Sequence, residues 1–266
     1  MNCVPFVKLH GNANDFVLID TLRTGAIPND WRELAQRWCA RRTGIGADGL
    51  LIVEPAETAD YRMRILNADG STAEMCGNGI RCFAHYLFQD HCPERETLAI
   101  ETDAGIKTVW RRPNNHYTVQ MGVPTAESAE QSLTVGDHTL PIWVVNTGTP
   151  HAVIFTDALA EFPLETLGPA IEHHPLFPGG TNVQVAQVLS ADESHARSWE
   201  RGAGLTQACG TGACAVLVAG HLKGQLARQA TVRMPGGPLL IEWKPDGELL
   251  MTGPAVEVFR GEIALH

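Results

Sequence analysis

Two similar helix starts decide the fold: residues 76–79 read Cys-Gly-Asn-Gly, and residues 209–212 read Cys-Gly-Thr-Gly. Each motif opens a strongly apolar stretch with helical periodicity, residues 77–90 and 212–223, and the motifs lie half a chain length apart in a chain of 266 residues. Internal similarity at this spacing predicts a duplicated domain with one Cys-Gly-x-Gly helix start in each copy. We place the boundary at residues 121–124, so that residues 1–121 form the first copy and residues 122–255 the second.

Outside these helices the sequence is typical of antiparallel hairpins. Short alternating runs occur at residues 4–10, 16–20, 50–54, 61–67, 97–102, 107–111 and 117–121, and Gly, Asn, Asp and Pro separate them. The most distinct turn is residues 244–248, Lys-Pro-Asp-Gly-Glu. Helical periodicity appears elsewhere only at residues 30–42, which open with an Asp30–Glu33 capping box, and at residues 164–173. Many hairpins and few helices predict an α+β fold and not a doubly wound parallel sheet.

Residues 44–49 read Gly-Ile-Gly-Ala-Asp-Gly, which matches the GxGxxG pattern of dinucleotide-binding sites. That fingerprint follows a strand and opens a helix, whereas here a helical stretch precedes the glycines and a strand follows them. We therefore predict a turn at this position.

Composition and charge exclude several classes of protein. Thirty acidic residues against twenty basic ones give a net charge of −10, the wrong sign for a nucleic-acid partner. The longest small-apolar stretch, residues 213–220, is too short to span a membrane, and residues 1–20 lack the pattern of a signal peptide. Seven cysteines without a CxxC pair indicate thiols and not a disulfide framework. We expect a cytoplasmic protein.

The positions of Cys76 and Cys209 suggest reactive thiols. The free N–H groups and positive dipole end of a helix stabilise an anion, so we expect a lowered thiol pKa at both residues. A free cysteine is more often a small buried hydrophobic residue, and that interpretation suits Cys82 and Cys214 inside the helices. The cysteine pairs have the wrong spacing and context for a zinc knuckle, so we predict no metal.

Two equivalent thiols suit the inversion of a tetrahedral carbon. A base that removes a proton from one face of a carbon does not easily return it to the other, so one thiolate abstracts while the opposing thiol donates. Thiols at the starts of two pseudo-symmetric helices would face a shared cleft. The N–H groups of Gly77, Asn78, Gly210 and Thr211 would bind a carboxylate whose charge grows as the carbanion forms.

Five stretches resemble the diaminopimelate epimerase family, in the same order along essentially the whole chain: residues 10–16, 67–79, 150–151, 181–183 and 200–212. The resemblance implies a cofactor-independent epimerase that interconverts LL- and meso-diaminopimelate in lysine and peptidoglycan precursor biosynthesis. It also implies two domains that each wrap antiparallel strands around a central helix, with the final strand, residues 256–266, returning to the first domain.

The resemblance further implies a role for each matched residue. Cys76 and Cys209 become the two acid/base residues, and His151 and Glu200 lie near the amino group of the reacting centre. A guanidinium forks onto a carboxylate, and asparagine amides both donate and accept, as a zwitterionic ligand requires. Diaminopimelate is the expected small-molecule partner, and a homodimer is an assembly to be tested. The residues assigned to the distal end of the substrate are Asn14, Asn67, Asn182 and Arg201.

Three departures from the family pattern leave alternatives open. Ala13 stands where Gly is common, Gly49 where Gln is common and Thr149 where Asn is common. An amino acid racemase of the same fold acting on another side chain, such as histidine, is the main alternative. A proline-racemase-like enzyme fits less well, because that group has His at the position of Asn78.

A hypothesis from another class is a thiol redox sensor or an inactive binding module. Neither would use Arg201 together with Asn67 and Asn182, whereas substrate binding uses all three.

Overall fold

The computed structural model describes residues 3–25, 27 and 30–265. The chain forms two compact units, residues 1–119 with 253–266, and residues 120–252. The first unit contains β1 (Cys3–Gly11), β2 (Asn14–Asp20), α1 (Thr21–Thr24), α2 (Trp31–Trp38), β3 (Gly49–Glu54), β4 (Tyr61–Asn67), α3 (Gly77–Asp90), β5 (Thr97–Thr102), β6 (Gly105–Arg112), most of β7 (His116–Gly122) and β18 (Val256–Ala264). The second contains β8 (Thr125–Ala126), β9 (Gln131–Val135), β10 (His138–Asn146), β11 (Pro150–Phe155), α4 (Leu164–Glu172), β12 (Asn182–Ser190), β13 (Glu193–Glu200), β14 (Gly204–Thr206), α5 (Gly210–Leu222), β15 (Gln229–Met234), β16 (Gly237–Trp243) and most of β17 (Leu249–Pro254).

The two units repeat one order of strand pairing. In the first unit β1 to β7 pair consecutively as antiparallel, parallel, antiparallel, parallel, antiparallel and antiparallel neighbours. In the second, β10, β11, β12, β13, β15, β16 and β17 pair in the same sequence of orientations. The α+β fold with two pseudo-symmetric domains is therefore confirmed.

The parallel pairs were not predicted from the sequence. Each of them joins strands that are separated by a helical crossover, with α3 between β4 and β5 and α5 between β13 and β15. Parallel neighbours need such a crossover, whereas antiparallel neighbours need only a short turn. The final strand β18 pairs antiparallel with β1 in the first unit.

Helices α3 and α5 occupy the centre of their units. Every residue of α3 from Gly77 to Phe88 is buried, and α3 packs against β1, β2, β3, β4, β6 and β18. In the same way α5 packs against β10, β11, β12, β13, β15 and β16, and its Ala, Gly and Val side chains are apolar on all sides. A helix that is apolar all round is a core helix, and this describes α5. Helix α3 is buried as well, but it carries the polar side chains of Asn78, Arg81 and His85 into the interior.

Two of the predicted turns are confirmed. Residues 44–48 form the turn between α2 and β3 and not a dinucleotide-binding helix start. The 244–248 turn joins β16 to β17, with hydrogen bonds from the N–H groups of Lys244 and Gly247 to the carbonyls of Glu248 and Lys244.

The predicted helix 30–42 is too long, because α2 ends at Trp38. The carbonyl of Trp38 accepts the N–H groups of Ile45 and Gly46, so the chain folds back at this point. A capping box requires the Asp30 side chain to accept the N–H of Glu33. Here the Asp30 side chain accepts the N–H of Arg32 instead. Within the described ranges, no helix is both long enough and apolar enough to cross a membrane.

Substitution of Gly168 in α4 should destabilise the second unit. A Cβ at Gly168 would lie 2.6 Å from Cδ2 of Trp199, and the Trp199 indole is held by a 2.7 Å hydrogen bond to Glu172. We expect Gly168→Ala to lower the free energy of unfolding by about 1–3 kcal/mol, since overpacking outweighs the gain in helix propensity. Urea denaturation measures this change. Gly179→Ala, whose Cβ would meet nothing within 4 Å, is the control, and an equal loss in both variants would contradict the packing argument.

Candidate active site

Cys76 is the N-cap residue of α3. Its backbone is extended, with φ −139° and ψ 120°, and its Sγ accepts the N–H of Gly79 at 3.4 Å. The first N–H groups of a helix have no acceptor within the helix, so a capping side chain satisfies one of them. The cap places a half-buried thiol at the positive end of the helix.

Three of the predicted site residues meet around this thiol. Cys76 Sγ lies 3.6 Å from Asn14 Oδ1, and Asn78 Nδ2 donates to the same oxygen at 3.2 Å. Asn14 Nδ2 in turn donates to Asp48 Oδ2 at 2.8 Å. A thiol, two amides and a carboxylate therefore form one hydrogen-bonded group at the N-terminus of α3.

Asn67, by contrast, makes its side-chain hydrogen bond locally. Its Nδ2 donates to Ser71 Oγ at 2.9 Å in the turn after β4, and the residue is exposed. An exposed amide in this place is accessible to a ligand.

Cys209 holds the equivalent position in the second unit. It is the N-cap residue of α5, and its Sγ accepts the N–H of Gly212 at 3.4 Å and lies 3.4 Å from Thr211 Oγ1. Its own N–H donates to Met234 Sδ at 3.2 Å. The repeated cap geometry shows that the Cys-Gly-x-Gly motif builds the same local structure twice.

The expected lowering of the thiol pKa is wrong for Cys209. The residue is only 3% exposed, and burial raises the pKa of its thiol well above the ordinary value of 9.0. The negative charge of Glu200 raises this pKa further, while hydrogen bonds from Thr211 and Gly212 lower it. Desolvation of the thiolate therefore outweighs the helix terminus, and Cys209 is a thiol at neutral pH.

Glu200 is held at the end of β13 beside this thiol. Thr206 Oγ1 donates to Glu200 Oε1 at 2.6 Å, across the β13–β14 pair. The carboxylate is a fixed negative charge near Cys209, which favours the protonated form of the sulfur.

His151 belongs to a buried network of neutral groups. It has no exposed surface, its Nε2 lies 3.2 Å from Thr149 Oγ1, and its Nδ1 lies 3.3 Å from Gln184 Nε2. Ser198 Oγ donates to Gln184 Oε1 at 2.5 Å. Burial lowers the pKa of His151 to about 3, so the imidazole is neutral at physiological pH.

Stability should depend on pH through His151. Between pH 6.5 and about 3 the unfolded chain binds a proton that the buried imidazole does not, so acid favours the unfolded state. This stabilisation is complete above pH 6.5 and is lost as pH falls, by up to about 1.4 kcal/mol per pH unit. We expect His151→Gln to show a smaller slope of unfolding free energy between pH 6 and 4.5 in urea titrations. Parallel slopes for the two proteins would contradict a neutral native His151.

Asn182 and Arg201 lie together at the ends of β12 and β13. Asn182 Oδ1 accepts the backbone N–H of Arg201 at 2.9 Å, and its Nδ2 lies 3.4 Å from Thr149 Oγ1. The exposed Arg201 side chain donates from Nη1 to the carbonyl of Gly179 at 2.8 Å. Neither contact with Arg201 uses a carboxylate, so its charge is available to an anionic ligand group.

Sequence reasoning missed four polar residues of these hydrogen-bonded groups, two in each unit. Gln184 follows Asn182 by two positions on one strand, so strand alternation could have placed both on the same face. Asp48 and Ser198 gave no comparable signal, because their partners Asn14 and Gln184 lie on other elements of the chain. Arg81 lies three positions after Asn78, so helical spacing could have paired these two residues. Within residues 3–25, 27 and 30–265, no cluster of three or more His, Cys, Asp or Glu could hold a metal ion.

Comparison with known proteins identifies close relatives. The family model described as diaminopimelate epimerase matches residues 6–127 and 143–258. A diaminopimelate epimerase of Moorella thermoacetica is 48% identical over 98% of this chain and 99% of its own length. A diaminopimelate epimerase of Carboxydothermus hydrogenoformans is 46% identical over 98% of this chain and all of its own length.

Solved structures with the same fold are more distant in sequence. A probable proline racemase from Agrobacterium radiobacter K84 superposes with a TM-score of 0.75 at 16% identity, covering 99% of this chain and 93% of the other. A phenazine biosynthesis protein of the PhzF family from Bacillus anthracis gives a TM-score of 0.74 at 18% identity over all of both chains. These similarities concern the fold alone.

Proposed function

Because the chain belongs to the diaminopimelate epimerase family, we propose that it interconverts LL- and meso-diaminopimelate in lysine and peptidoglycan precursor biosynthesis. The observation that carries the proposal is the pair of N-cap cysteines. Cys76 and Cys209 start the central helices of two units with one topology, and each sulfur accepts the N–H three residues later. An epimerase that inverts a carbon needs two such groups, one for each face.

We assign proton transfer at Cα to these two thiols. Cys209 is a thiol at neutral pH and is the proton donor of the resting enzyme, whereas the more exposed Cys76 takes the proton from the opposite face of Cα. The reverse reaction exchanges the two roles. The Cα–H bond breaks as the Cys76 thiolate takes the proton, and the new Cα–H bond forms on the other face as the Cys209 S–H bond breaks. The pair therefore ends with Cys76 as the thiol and Cys209 as the thiolate, and no cofactor takes part.

Each sulfur is set up to exist in both states. At Cys76 the N–H of Gly79 favours the thiolate, and Asn14 Oδ1 accepts from the thiol. At Cys209 the N–H of Gly212 favours the thiolate, and burial together with Glu200 favours the thiol. A residue that acts as base in one direction and acid in the other requires both kinds of contact.

Binding of the substrate is assigned to groups on each side of the reacting centre. The N–H groups of Gly77, Asn78, Gly210 and Thr211 start the two helices and suit the carboxylate of the reacting centre. Neutral His151 and anionic Glu200 suit the amino group at this centre. The distal amino acid end is assigned to Asn14, Asn67, Asn182 and Arg201.

The alternative of a histidine-type racemase is not favoured. Relatives that are 43–48% identical over nearly their full length are diaminopimelate epimerases, so Thr149 and Gly49 are variations within this family. Thr149 also has a structural role, since its hydroxyl contacts both His151 and Asn182.

Solvent exchange tests the activity and its substrate. The protein is incubated with LL-diaminopimelate, and separately with L-histidine, in D₂O, and deuterium at Cα is followed by NMR. We expect exchange and formation of the meso isomer with diaminopimelate only. Exchange with histidine only would assign a different substrate, and exchange with neither would overturn the epimerase proposal.

We also propose a cytoplasmic location and a homodimer. The seven cysteines are thiols, and two of them must stay reduced for the proposed chemistry, which suits a reducing compartment. Strand β18 pairs with β1, and its Val258 and Phe259 are 54% and 45% exposed. Sedimentation analysis of the protein and of Val258→Glu tests whether this face joins two copies.

A further inference from the structure

The Asn14 side chain lies between a carboxylate and a thiol, and this determines its orientation. Asn14 Nδ2 donates to Asp48 Oδ2 at 2.8 Å, and Asn14 Oδ1 lies 3.6 Å from Cys76 Sγ. A carboxylate only accepts hydrogen bonds, so the amide nitrogen must face Asp48. The carbonyl oxygen of Asn14 is therefore directed at the sulfur.

Asn78 is oriented in the same way by a cation. Arg81 has no exposed surface, and its Nη2 donates to Asn78 Oδ1 at 2.9 Å. A guanidinium only donates, so Asn78 must present its nitrogen to Asn14 Oδ1, which it does at 3.2 Å. The result is a chain of hydrogen bonds from Arg81 through Asn78 and Asn14 to Asp48, with a positive charge at one end and a negative charge at the other.

Asp48 is itself held in place. Its Oδ1 accepts from Arg41 Nη2 at 2.6 Å, and its Oδ2 also accepts the backbone N–H of Asp15 at 3.1 Å. Asp15 is paired with Arg41 at 2.8 Å and with Lys8 at 2.6 Å. The Asp48 side chain is 40% exposed, yet its position is defined by three donors.

We propose that Asp48 is a positioning residue of the epimerase, which acts through Asn14 on Cys76. It holds the Asn14 carbonyl as a fixed acceptor for the Cys76 S–H, while the Gly79 N–H serves the thiolate. Loss of Asp48 removes the acceptor of the Asn14 amide nitrogen, so only the Asn78 Nδ2 donor still restrains the amide and its carbonyl is no longer held at one distance from the sulfur. The Cys76 S–H then lacks a fixed hydrogen-bond acceptor, the thiol form of Cys76 is less favoured, and proton transfer slows in the direction in which Cys76 is the acid. This inference rests on the proposed function.

A double-mutant cycle between Asp48 and Asn14 tests whether Asp48 acts through the amide. We expect Asp48→Ala to lower kcat/KM for diaminopimelate by between about 10-fold and about 100-fold, the range expected when a reacting group is misplaced. In an Asn14→Ala background the same substitution should change kcat/KM by less than about twofold, because the group it positions is already absent. Equal factors in both backgrounds would overturn the proposal.

Arg41→Ala is the matched control. It breaks the same Arg41–Asp48 ion pair from a side chain that is 60% exposed, but it leaves the acceptor of Asn14 in place. We expect a much smaller loss of kcat/KM than in Asp48→Ala. If Arg41→Ala reproduces the full loss, the ion pair and not the amide is responsible.

A second readout does not depend on the substrate. The rate at which iodoacetamide alkylates Cys76 is measured by peptide mass spectrometry at pH 7 across the same cycle. Asp48→Ala should raise this rate severalfold, since the thiol loses a hydrogen bond that favours its neutral form, and should leave it unchanged in the Asn14→Ala background. If the wild type fails to exchange deuterium with diaminopimelate, the proposed function falls while this cycle still reports on the amide chain.

Thermal unfolding of each variant shows whether it folds. Should Asp48→Ala fail to fold, Asp48→Ser repeats the test, because its hydroxyl is one bond too short to replace the carboxylate oxygen. Coupling to Asn14 in both readouts supports the proposal, and independent effects in both contradict it.

Discussion

Replacing either Cys76 or Cys209 by serine is expected to lower the rate of diaminopimelate epimerisation by about 10²- to 10⁴-fold, the usual cost of losing an acid/base group. Serine keeps the size of the side chain and a lone pair for the N–H of Gly79 or Gly212, so the helix caps should survive. A hydroxyl is a far weaker acid than a thiol, and because it stays un-ionised at neutral pH it is also a far weaker base than a thiolate. The measurement is the interconversion of LL- and meso-diaminopimelate by chiral chromatography.

The other two cysteines of the same helices are the controls. Cys82 and Cys214 have no exposed surface, and burial raises the pKa of the Cys82 thiol far above its ordinary value. Cys82→Ala and Cys214→Ala should change stability by up to a few kcal/mol and leave the proton-transfer step in place. Near-wild-type turnover in Cys76→Ser or Cys209→Ser would contradict the two-base mechanism.

Much of the fold followed from signals that are local in the sequence. The Cys-Gly-x-Gly motifs predicted both central helices, because a small capping residue and an apolar stretch suffice to recognise a buried helix start. The parallel pairs β2–β3 and β11–β12 were not foreseen. Each of these pairs joins strands across a crossover, and alternation within a strand says nothing about its neighbour. The early end of α2 at Trp38 likewise depends on hydrogen bonds from residues 45 and 46.

The candidate site also combines residues that sequence motifs select with properties that depend on the folded structure. Motif residues alone were enough to select Asn14, Cys76 and Asn78, and the structure brings their side chains into contact. The contact of Asn14 with the Cys76 thiol was not predicted, because the resemblance assigned Asn14 to the distal end of the substrate. The prediction of a lowered thiol pKa at Cys209 was wrong. The helix terminus that lowers this pKa is visible in the sequence, whereas burial and the nearby charge of Glu200, which raise it, arise only on folding. Asp48 was not predicted as a site residue for the same reason, because its hydrogen bond with Asn14 joins residues that are 34 positions apart in the chain.

Arg201 should set the preference for a substrate with a second carboxylate. Its backbone is fixed by Asn182 Oδ1, and its side chain contacts a carbonyl and no carboxylate of the described chain. Lysine has a similar length to diaminopimelate but lacks the distal carboxylate, so binding it would leave the guanidinium without its anionic partner. We expect kcat/KM for diaminopimelate to exceed that for lysine by about 10³-fold or more.

Arg201→Met should remove most of this discrimination. The variant keeps an apolar side chain of similar length but loses the charge, so kcat/KM for diaminopimelate should fall strongly while that for lysine changes little. Because remote binding energy also aligns the reacting groups, kcat should fall together with affinity.

Arg197→Met is the matched control, since Arg197 lies on the same strand β13 but donates to Glu165 at 2.8 Å and to the carbonyl of Phe162. We expect Arg197→Met to lower stability and to leave the ratio of kcat/KM for diaminopimelate over lysine unchanged. The two variants together separate loss of a charge from loss of the substrate contact. If Arg201→Met lowers kcat/KM for diaminopimelate and for lysine by the same factor, Arg201 supports the fold of residues 179–182 and does not bind the distal carboxylate. A wild-type preference for histidine over diaminopimelate would overturn the substrate assignment and leave the two-thiol mechanism standing.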